Sequence, residues 1–276
     1  MKIRKHCTTF AAMMLAESFI LSGCTHNSVQ LVPVPSTNSV GNLYLYDVAG
    51  VAGSAGNGGD GGPAIEAKLY FPQDVLVSGN EVCIVDWNNH VIRKVIPSNL
   101  AIGPSFAGSS KGYSNGTGDD VRFAWPIGTD SYPGGKMDIG PDGQDLYVAD
   151  TENHRIRKVN IASGEVTTIA GTGEAGYSGD DGEPLDARLN QPTDVACTPS
   201  GELFIADAAN NIIRKIDRNN TISTVVGTGT AGFSIDGTPA QNAMLNRPSG
   251  IFWDDATRML YVCDTFNHQV KKVNLP

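Results

Sequence analysis

The sequence is short of basic residues: its 276 residues include 20 Lys and Arg against 29 Asp and Glu, a formal net charge of −9. Nucleic-acid-binding proteins rely on basic stripes that displace counterions from phosphates, so a nucleic-acid partner is not expected for this chain. After the first 23 residues, no apolar run is long enough to cross a membrane as a helix. What remains is an acidic domain without an internal membrane-spanning segment.

Cysteine is also scarce, with five in the whole chain. Beyond the N-terminal region only Cys83, Cys197 and Cys263 remain, and each lies in an apolar, strand-like run. They stand in three different repeats, so the sequence favours buried free thiols over a disulfide framework. No pairing of Cys with His, and no Ser/His/Asp order, stands out as a catalytic set.

The N-terminus has the pattern of an export signal. Residues 1–6 are basic, residues 10–21 are apolar, and Leu21-Ser22-Gly23-Cys24 matches the bacterial lipobox. In lipoproteins of this kind the segment before the cysteine is removed and the thiol is acylated, so we predict a signal peptide at 1–23 and lipidation at Cys24. Glu17 argues against this, since a carboxylate in a bilayer costs on the order of 3 kcal/mol. An ordinary secretory signal, or a helix without a targeting role, is the alternative.

Residues 24–42 are polar and interrupted by Pro33 and Pro35, which predicts a flexible tether. The interpretation implies export and attachment to the cell envelope through the lipid alone. In a Gram-negative host it implies the outer membrane, because Thr25 rather than Asp follows the cysteine.

The rest of the chain consists of four similar segments. The clearest runs from Asp145 to Val159, DLYVADTENHRIRKV, and variants occupy 82–95, 203–216 and 260–273. Each has an apolar run that ends in aspartate, a polar turn, and a second apolar run that carries a cation. The aspartates recur at intervals of 64, 57 and 57 residues, as Asp86, Asp150, Asp207 and Asp264. A period of this size indicates a propeller or a solenoid.

These segments resemble the NHL repeat, which is named for an Asn-His-Leu signature. The Asn-His pair stands at Asn89-His90, Asn153-His154 and Asn267-His268, with Asn210-Asn211 in the third copy, and Leu never follows it. The loops between repeats, of the form GTGxxGxSGDG, resemble those of bacterial envelope NHL proteins and teneurin-type extracellular propellers. The resemblance covers about 43–276 and implies an all-β, β-propeller fold. Its members include protein-binding platforms, extracellular sensors and a few lyases, so the function stays open.

Each repeat divides into four antiparallel strands, a to d. In the third repeat we predict them at 194–199, 202–208, 212–218 and 221–227, joined by short hairpin turns. Leu203-Phe204-Ile205-Ala206 is apolar at every position, as a sheet covered on both faces requires. The sequence predicts four blades at about 72–108, 126–171, 192–227 and 248–276.

The two ends of the repeat region suggest how the ring closes. The fourth repeat stops after strand c, whereas 43–50 has the pattern of a strand d without a repeat of its own. The simplest topology lets 43–50 complete the last blade, which closes a four-bladed ring and removes both free edges. The alternative is an open arc that needs a second copy to close.

Residues that recur in every blade are candidates for construction rather than for catalysis. We expect turn hydrogen bonds or Asp–Arg pairs at the repeat positions Asp86, Asp150, Asp207 and Asp264, with Arg93, Arg157, Arg214 and Lys271. The histidines of the Asn-His pairs lack the spacing of a zinc site, and the Gly-Asp-Gly loops lack the register of a calcium loop.

Departures from the repeat are more informative. The resemblance implies glycine two residues after the proline that opens strand a, but Asp74 and Asp194 stand there in blades one and three. Two carboxylates converging near the axis repel, and an oxygen-lined site suits Ca²⁺, so a calcium site is one hypothesis. In the other, each aspartate accepts backbone N–H bonds in its own loop.

The long loops and the Asn-His turns are expected on one face, where any ligand should bind. Candidate contacts are Tyr113, Tyr177 and Phe233 at equivalent loop positions, and Tyr132 and Lys136 in an extra segment of blade two. Exposed rings can hold sugars or peptides, and can equally anchor their own loops. The sequence thus predicts an envelope-anchored scaffold with a protein or glycan ligand. A metal-dependent lyase or lactone hydrolase of the propeller type is the alternative.

Overall fold

The computed structural model describes residues 45–96, 99–103, 105–127 and 134–275. The chain divides into a unit of Met1–Asp47, of which only 45–47 are described, and a unit of Val48–Pro276 that holds every assigned strand. The predicted signal peptide, Cys24, the tether and Tyr132 lie outside the described residues. No helix in the described residues has the length and apolar character that crossing a membrane would require.

The second unit is an all-β, four-bladed propeller, as the sequence predicted. Its first two blades contain β1 Pro72–Ser78, β2 Glu81–Asp86, β3 Val91–Ile96 and β4 Ala101–Ile102, then β5 Gly116–Thr117, β6 Met137–Ile139, β7 Asp145–Asp150, β8 Arg155–Asn160 and β9 Glu165–Ala170. The last two contain β10 Pro192–Cys197, β11 Leu203–Asp207, β12 Ile212–Ile216 and β13 Ile222–Val226, then β14 Pro248–Asp254, β15 Met259–Asp264 and β16 Gln269–Asn274. Within each blade the strands pair antiparallel in chain order, except that β5 joins the outer edge of β9.

Helical structure among the described residues consists of three-residue 3₁₀ turns. One set follows the Gly-rich loops, at Ala64–Glu66, Pro184–Asp186 and Ala240–Asn242. The other lies between the second and third principal strands of each blade, at Trp87–Asn89, Thr151–Asn153, Ala208–Asn210 and Thr265–Asn267. Proline stands at the start of Pro184–Asp186, where a missing N–H costs no hydrogen bond.

Neighbouring blades pack through apolar faces. We call the side of a blade that contacts the next blade its forward face, and the opposite side its rear face. On the forward face of blade three, Phe204 and Ile213 are at most 2% exposed and pack with Ile251 and Val262 of blade four. Every residue of β11 is buried, because this sheet is covered on both sides.

The expected completion of the last blade by residues 43–50 is not seen. Residues 45–50 form no strand, Leu45 is 97% exposed, and the last sheet has three strands, β14 to β16, within the described residues. The outer faces of the first and last blades also remain exposed in part. Val75 on the rear face of blade one is 62% exposed, and Val270 on the forward face of blade four is 70% exposed.

The three cysteines of the propeller are all free thiols, but they are not all buried. Cys83 is buried, and its burial raises its pKa to about 12. Cys263 was expected to be buried and is exposed, because it lies on the forward face of blade four, which no further blade covers.

Candidate binding face and the cluster beneath it

The recurring aspartates lie at the centre of one hydrogen-bond cluster per blade. In blade two, Asp150 Oδ1 accepts the Ala124 N–H at 2.8 Å. Its Oδ2 accepts Asn153 Nδ2 at 2.9 Å and Arg157 Nη1 at 2.7 Å. The other three aspartates repeat the first two contacts with Tyr70 and Asn89, Asn190 and Asn210, and Asn246 and Asn267. We call this arrangement the aspartate cluster.

The asparagine of each Asn-His pair connects this cluster to the Gly-rich loop. Its Nδ2 donates a second hydrogen bond of 2.6–2.7 Å to a loop carbonyl, at Gly56, Gly112, Gly176 and Gly232. The turn and the loop therefore lie on the same face of the propeller, as the sequence predicted from strand topology. We call this side the loop face.

Arginine and lysine side chains of the third principal strand of each blade bind the same loops. Arg93, Arg157 and Arg214 have no exposed surface. Arg157 Nη2 donates to Ser114 O at 2.7 Å, and in blade four Lys271 Nζ donates to Ser234 O at 2.8 Å. Arg93 and Arg214 form ion pairs with the loop aspartates Asp60 and Asp180.

Burial opposes ionisation of the cluster carboxylates. It raises the pKa of Asp150 to about 6 and the pKa of Asp207 to about 7, and it raises the pKa of Asp86. The Arg157 guanidinium and the Ala124 N–H lower the pKa of Asp150 in opposition to burial. Each oxygen accepts from N–H groups only, which is the hydrogen bonding of a carboxylate, and Asp150 is ionised at neutral pH.

The last residue of each Asn-His turn links one blade to the next. His90, His154 and Asn211 adopt the left-handed conformation, with φ of 54–56°. His90 Nδ1 accepts the Trp125 N–H at 3.3 Å, and His154 Nδ1 accepts the Gln191 N–H at 3.1 Å. At the third junction, Asn211 Oδ1 accepts the Arg247 N–H at 3.0 Å. Sequence reasoning missed this role, although the exchange of His for Asn was a signal, since both residues offer an acceptor and tolerate positive φ.

This role predicts an acid-sensitive fold. His90 is 5% exposed, and burial, helped by the nearby charge of Lys111, lowers its pKa to about 4. Its Nδ1 can accept the Trp125 N–H only while it is unprotonated. A pKa below the unfolded value means that the unfolded state binds the proton more readily, so stability falls as the pH falls from 6.5 to 4. Denaturant unfolding at pH 7 and pH 4 should show that His90→Asn removes roughly 2–3 kcal/mol of this loss. The reverse change, Asn211→His, should increase the loss, and an equal loss in wild type and His90→Asn would contradict the assignment.

The aromatic side chains of the loop face are partly exposed and held from one side. Tyr113, Tyr177 and Phe233 are 43%, 49% and 51% exposed. The Arg155 guanidinium lies 3.8 Å from the centre of the Tyr113 ring, and Lys271 Nζ lies 5.0 Å from that of Phe233. Such cation–π contacts fix each ring against its blade. The rings thus contact their own blades and still expose area, and ligand binding by them stays a prediction.

The hydroxyl groups of the two tyrosines add further contacts. Tyr113 Oη lies 3.1 Å from Thr168 Oγ1, and Tyr177 Oη donates to Asp180 Oδ2 at 2.9 Å. The Arg214 guanidinium lies 5.5 Å from the centre of the Tyr177 ring. The equivalent position of the first loop holds Asn57, whose Oδ1 accepts from Arg93 Nη1 at 3.4 Å.

Asp74 and Asp194 connect blades through main-chain hydrogen bonds. Asp74 Oδ1 accepts the N–H of Val75, and its Oδ2 accepts that of Met137 in blade two at 2.9 Å. Asp194 Oδ1 accepts the N–H of Val195, and its Oδ2 accepts that of Ile251 in blade four at 2.8 Å. The backbone contacts expected by the second hypothesis are present, and they extend across the blade boundary.

Lys136 supplies a positive charge close to Asp194. Its Nζ lies 3.8 Å from Asp194 Oδ2 and donates to Ser249 O at 2.9 Å. Lys136 thus contacts β10 of blade three and β14 of blade four. Among the described residues, no three His, Cys, Asp or Glu side chains are grouped closely enough to hold a metal ion. A calcium site at Asp74 and Asp194 stays a prediction, which melting temperatures with calcium and with chelator would test.

The fold defines the class of protein, a β-propeller of repeated antiparallel blades. A family model for the teneurin NHL domain matches residues 135–235. The chain is 31% identical to SUPPRESSOR OF QUENCHING 1 of Arabidopsis thaliana over 61% of its length and 16% of that protein. It is 25% identical to human NHL repeat-containing protein 2 over 76% of its length and 32% of that protein. The chain is thus similar in sequence to NHL-repeat β-propeller proteins, and it matches less than a third of these two relatives' length.

Solved structures share the fold. A protein from Bacteroides thetaiotaomicron described as an auxiliary nutrient binding protein superposes with a TM-score of 0.53 and 18% identity. The match covers 70% of this chain and 44% of that one. At this identity the likeness is one of fold alone.

Proposed function

We propose that this propeller is a cell-envelope binding scaffold, held by a lipid at Cys24, that presents its loop face to a protein or glycan ligand. The observation that carries the proposal is the row of aromatic side chains at equivalent loop positions, Tyr113, Tyr177 and Phe233. Each exposes between 43% and 51% of its surface while a cation holds its other side.

Rings held in this way suit recognition for a thermodynamic reason. A ligand that stacks on a ring already fixed in place loses little side-chain entropy of the protein on binding. Aromatic rings offer an apolar face to sugars and to peptide side chains alike. The Asn of each aspartate cluster and the Arg or Lys beside it hold the loops, so the spacing between the rings is set by the blades.

The N-terminal sequence supports an extracytoplasmic setting. The lipobox at Leu21-Ser22-Gly23-Cys24 is the basis for the anchor, and the Pro-containing segment 24–42 provides the reach. Membrane fractionation of wild type and Cys24→Ala tests this part alone. The variant should leave the membrane fraction, and its retention there would contradict the lipid anchor.

The ligand-binding part is tested by removing the rings together. Tyr113→Ala/Tyr177→Ala/Phe233→Ala should lower binding by roughly tenfold or more on a glycan array or in an envelope-protein pull-down, since buried aromatic anchors carry most binding energy. The matched control is Ile96→Ala, which alters a side chain of similar exposure, 36%, at the opposite end of a blade. Melting temperatures identify any loss due to unfolding. Undiminished binding by the triple variant, or metal-dependent lactone turnover that survives it, would contradict the proposal.

A further inference from the structure

The two outermost blade faces have the composition of interior faces, but each leaves apolar side chains exposed that are buried at the junctions inside the chain. On forward faces, Phe252 and Val270 of blade four are 36% and 70% exposed, whereas Ala196 and Ile213 at the same positions of blade three are at most 1% exposed. On rear faces the contrast is the same. Val75 of blade one is 62% exposed, and its equivalents in the other blades are at most 3% exposed, namely Met137, Val195 and Ile251.

Blade four also contains an open slot for a fourth strand. In blade three, β13 lies between β12 and the preceding Gly-rich loop, where Asp181 N–H donates to Ile222 O at 2.7 Å and Ile222 N–H donates to Gly182 O at 3.0 Å. Blade one repeats this frame with Gly61, Gly62 and Ile102. At the same place in blade four, Gly237 and Thr238 face Lys271–Asn274 of β16 across a cavity of about 300 Å³.

The chain carries a segment that fits this slot. Alignment of Gly50 with Gly171 and Gly227 puts Leu45 at the position of Val166 and Ile222. Val166 and Ile222 are completely buried in their blades, whereas Leu45 is 97% exposed. In the repeats, the strand that precedes a Gly-rich loop belongs to the preceding blade, so residues 45–49 are suited to the blade that comes before blade one.

We propose that two copies of this chain join head to tail. The forward face of blade four of one copy packs on the rear face of blade one of the other, and residues 45–49 of that second copy enter the slot beside β16. A second copy is the occupant because both faces expose apolar side chains in the described part of the chain, and because each reproduces a face that is buried at three junctions inside the chain. Two equal junctions then close a two-fold ring of eight blades.

One polar contact strengthens the match. Within the chain, His90 and His154 each accept an N–H from the residue before the proline that opens the next blade. The last such histidine is His268, and the residue before Pro72 in blade one is Phe71. Phe71 has φ of 54°, close to 50° at Gln191 and 47° at Arg247, which donate at the internal junctions. In the dimer, Phe71 N–H therefore donates to His268 Nδ1 of the other copy.

Sedimentation of the full chain in detergent, with any anchor retained, tests the proposal. The wild type should be a dimer, and Val75→Asp and Val270→Asp should each weaken the dimer roughly 100-fold or more, because both junctions would bury an unpaired carboxylate. Both positions are exposed in the single chain, so each variant should fold. Leu185→Asp is the matched control, since Leu185 is 52% exposed and lies on neither face.

Mixing the variants distinguishes this arrangement from others. A Val75→Asp chain keeps an unchanged forward face on blade four, and a Val270→Asp chain keeps an unchanged rear face on blade one. These two faces can pack together in an equimolar mixture, so the mixture should form dimers through one junction. A contact between two copies of the same face would not be restored in this way. A monomeric wild type, or a mixture that stays monomeric, would overturn the proposal.

The slot has its own test. Ile216 pairs with Ile222 in blade three, and the equivalent of Ile216 in blade four is Val273. Leu45→Cys on one chain and Val273→Cys on another, both in a Cys263→Ser background, should form a disulfide between chains under a mild oxidant. A disulfide that forms only when both cysteines are placed in one chain, and only within that chain, would show self-closure instead and overturn the exchange.

Discussion

Asp150→Ala is expected to lower the free energy of unfolding by about 3–5 kcal/mol, because it leaves a buried guanidinium without its counter-charge. Asp150 and Arg157 are both fully buried, and their ion pair measures 2.7 Å. The same change removes the acceptor of the Ala124 N–H and of Asn153 Nδ2. Chemical denaturation at pH 7 measures the loss.

The control for this prediction lies on the same strand. Asp145 pairs with Lys158 at 3.4 Å, but the Lys158 side chain is 39% exposed, so Asp145→Ala should cost less than about 1 kcal/mol. Arg157→Met in the Asp150→Ala background should recover part of the loss, since it removes the unpaired charge. If Asp145→Ala and Asp150→Ala lowered the free energy of unfolding by similar amounts, the buried pair would contribute no more than the exposed one.

Gly171→Ala is expected to cost more than about 3 kcal/mol, because backbone atoms occupy the space that its Cβ needs. Gly171 has φ of +94°, and a Cβ there would lie 2.3 Å from His154 O and 3.0 Å from Arg155 Cα. Neither atom belongs to a flexible side chain. To accept the alanine, the first residues of the Gly-rich loop would have to move away from the Asn-His turn.

Gly201→Ala separates this clash from simple backbone strain. Gly201 has nearly the same φ, +90°, but no atom lies within 4 Å of the Cβ position. Its cost should be limited to roughly 1–2 kcal/mol of left-handed strain. Thermal unfolding of the two variants compares them directly. Equal shifts in melting temperature would mean that the close approach to His154 contributes nothing.

The internal repeats made much of the blade structure predictable. In the third blade the predicted strands at 194–199, 202–208, 212–218 and 221–227 agree within two residues with β10 to β13. Four copies of one pattern allow each strand to be checked against three others, and the apolar runs bounded by Asn and Gly turns set its ends. The grouping of Asn-His turns and Gly-rich loops on one face followed from the same topology.

The contacts between blades were harder to predict from the sequence. The imidazole of His154 accepts an N–H from Gln191, 37 residues further on, and no local pattern marks that pairing. Asp74 and Asp194 stood out as departures from the repeat, yet their bonds to Met137 and Ile251 depend on how the next blade is placed. Partners so distant in the chain are set by packing rather than by propensity.

What the sequence determined by itself is the unit: an antiparallel blade with a recurring aspartate, an Asn-containing turn, a basic residue and a Gly-rich loop, repeated four times and joined in chain order. These features depend on alternation, turn chemistry and spacing, which are local. What only the tertiary structure decided is how the series of blades ends. Val75, Val270 and Cys263 are exposed although their equivalents inside the series are covered by a neighbouring blade. Whether the first and last blades meet depends on small rotations that add up over the packed interfaces, and no single segment of sequence encodes that sum.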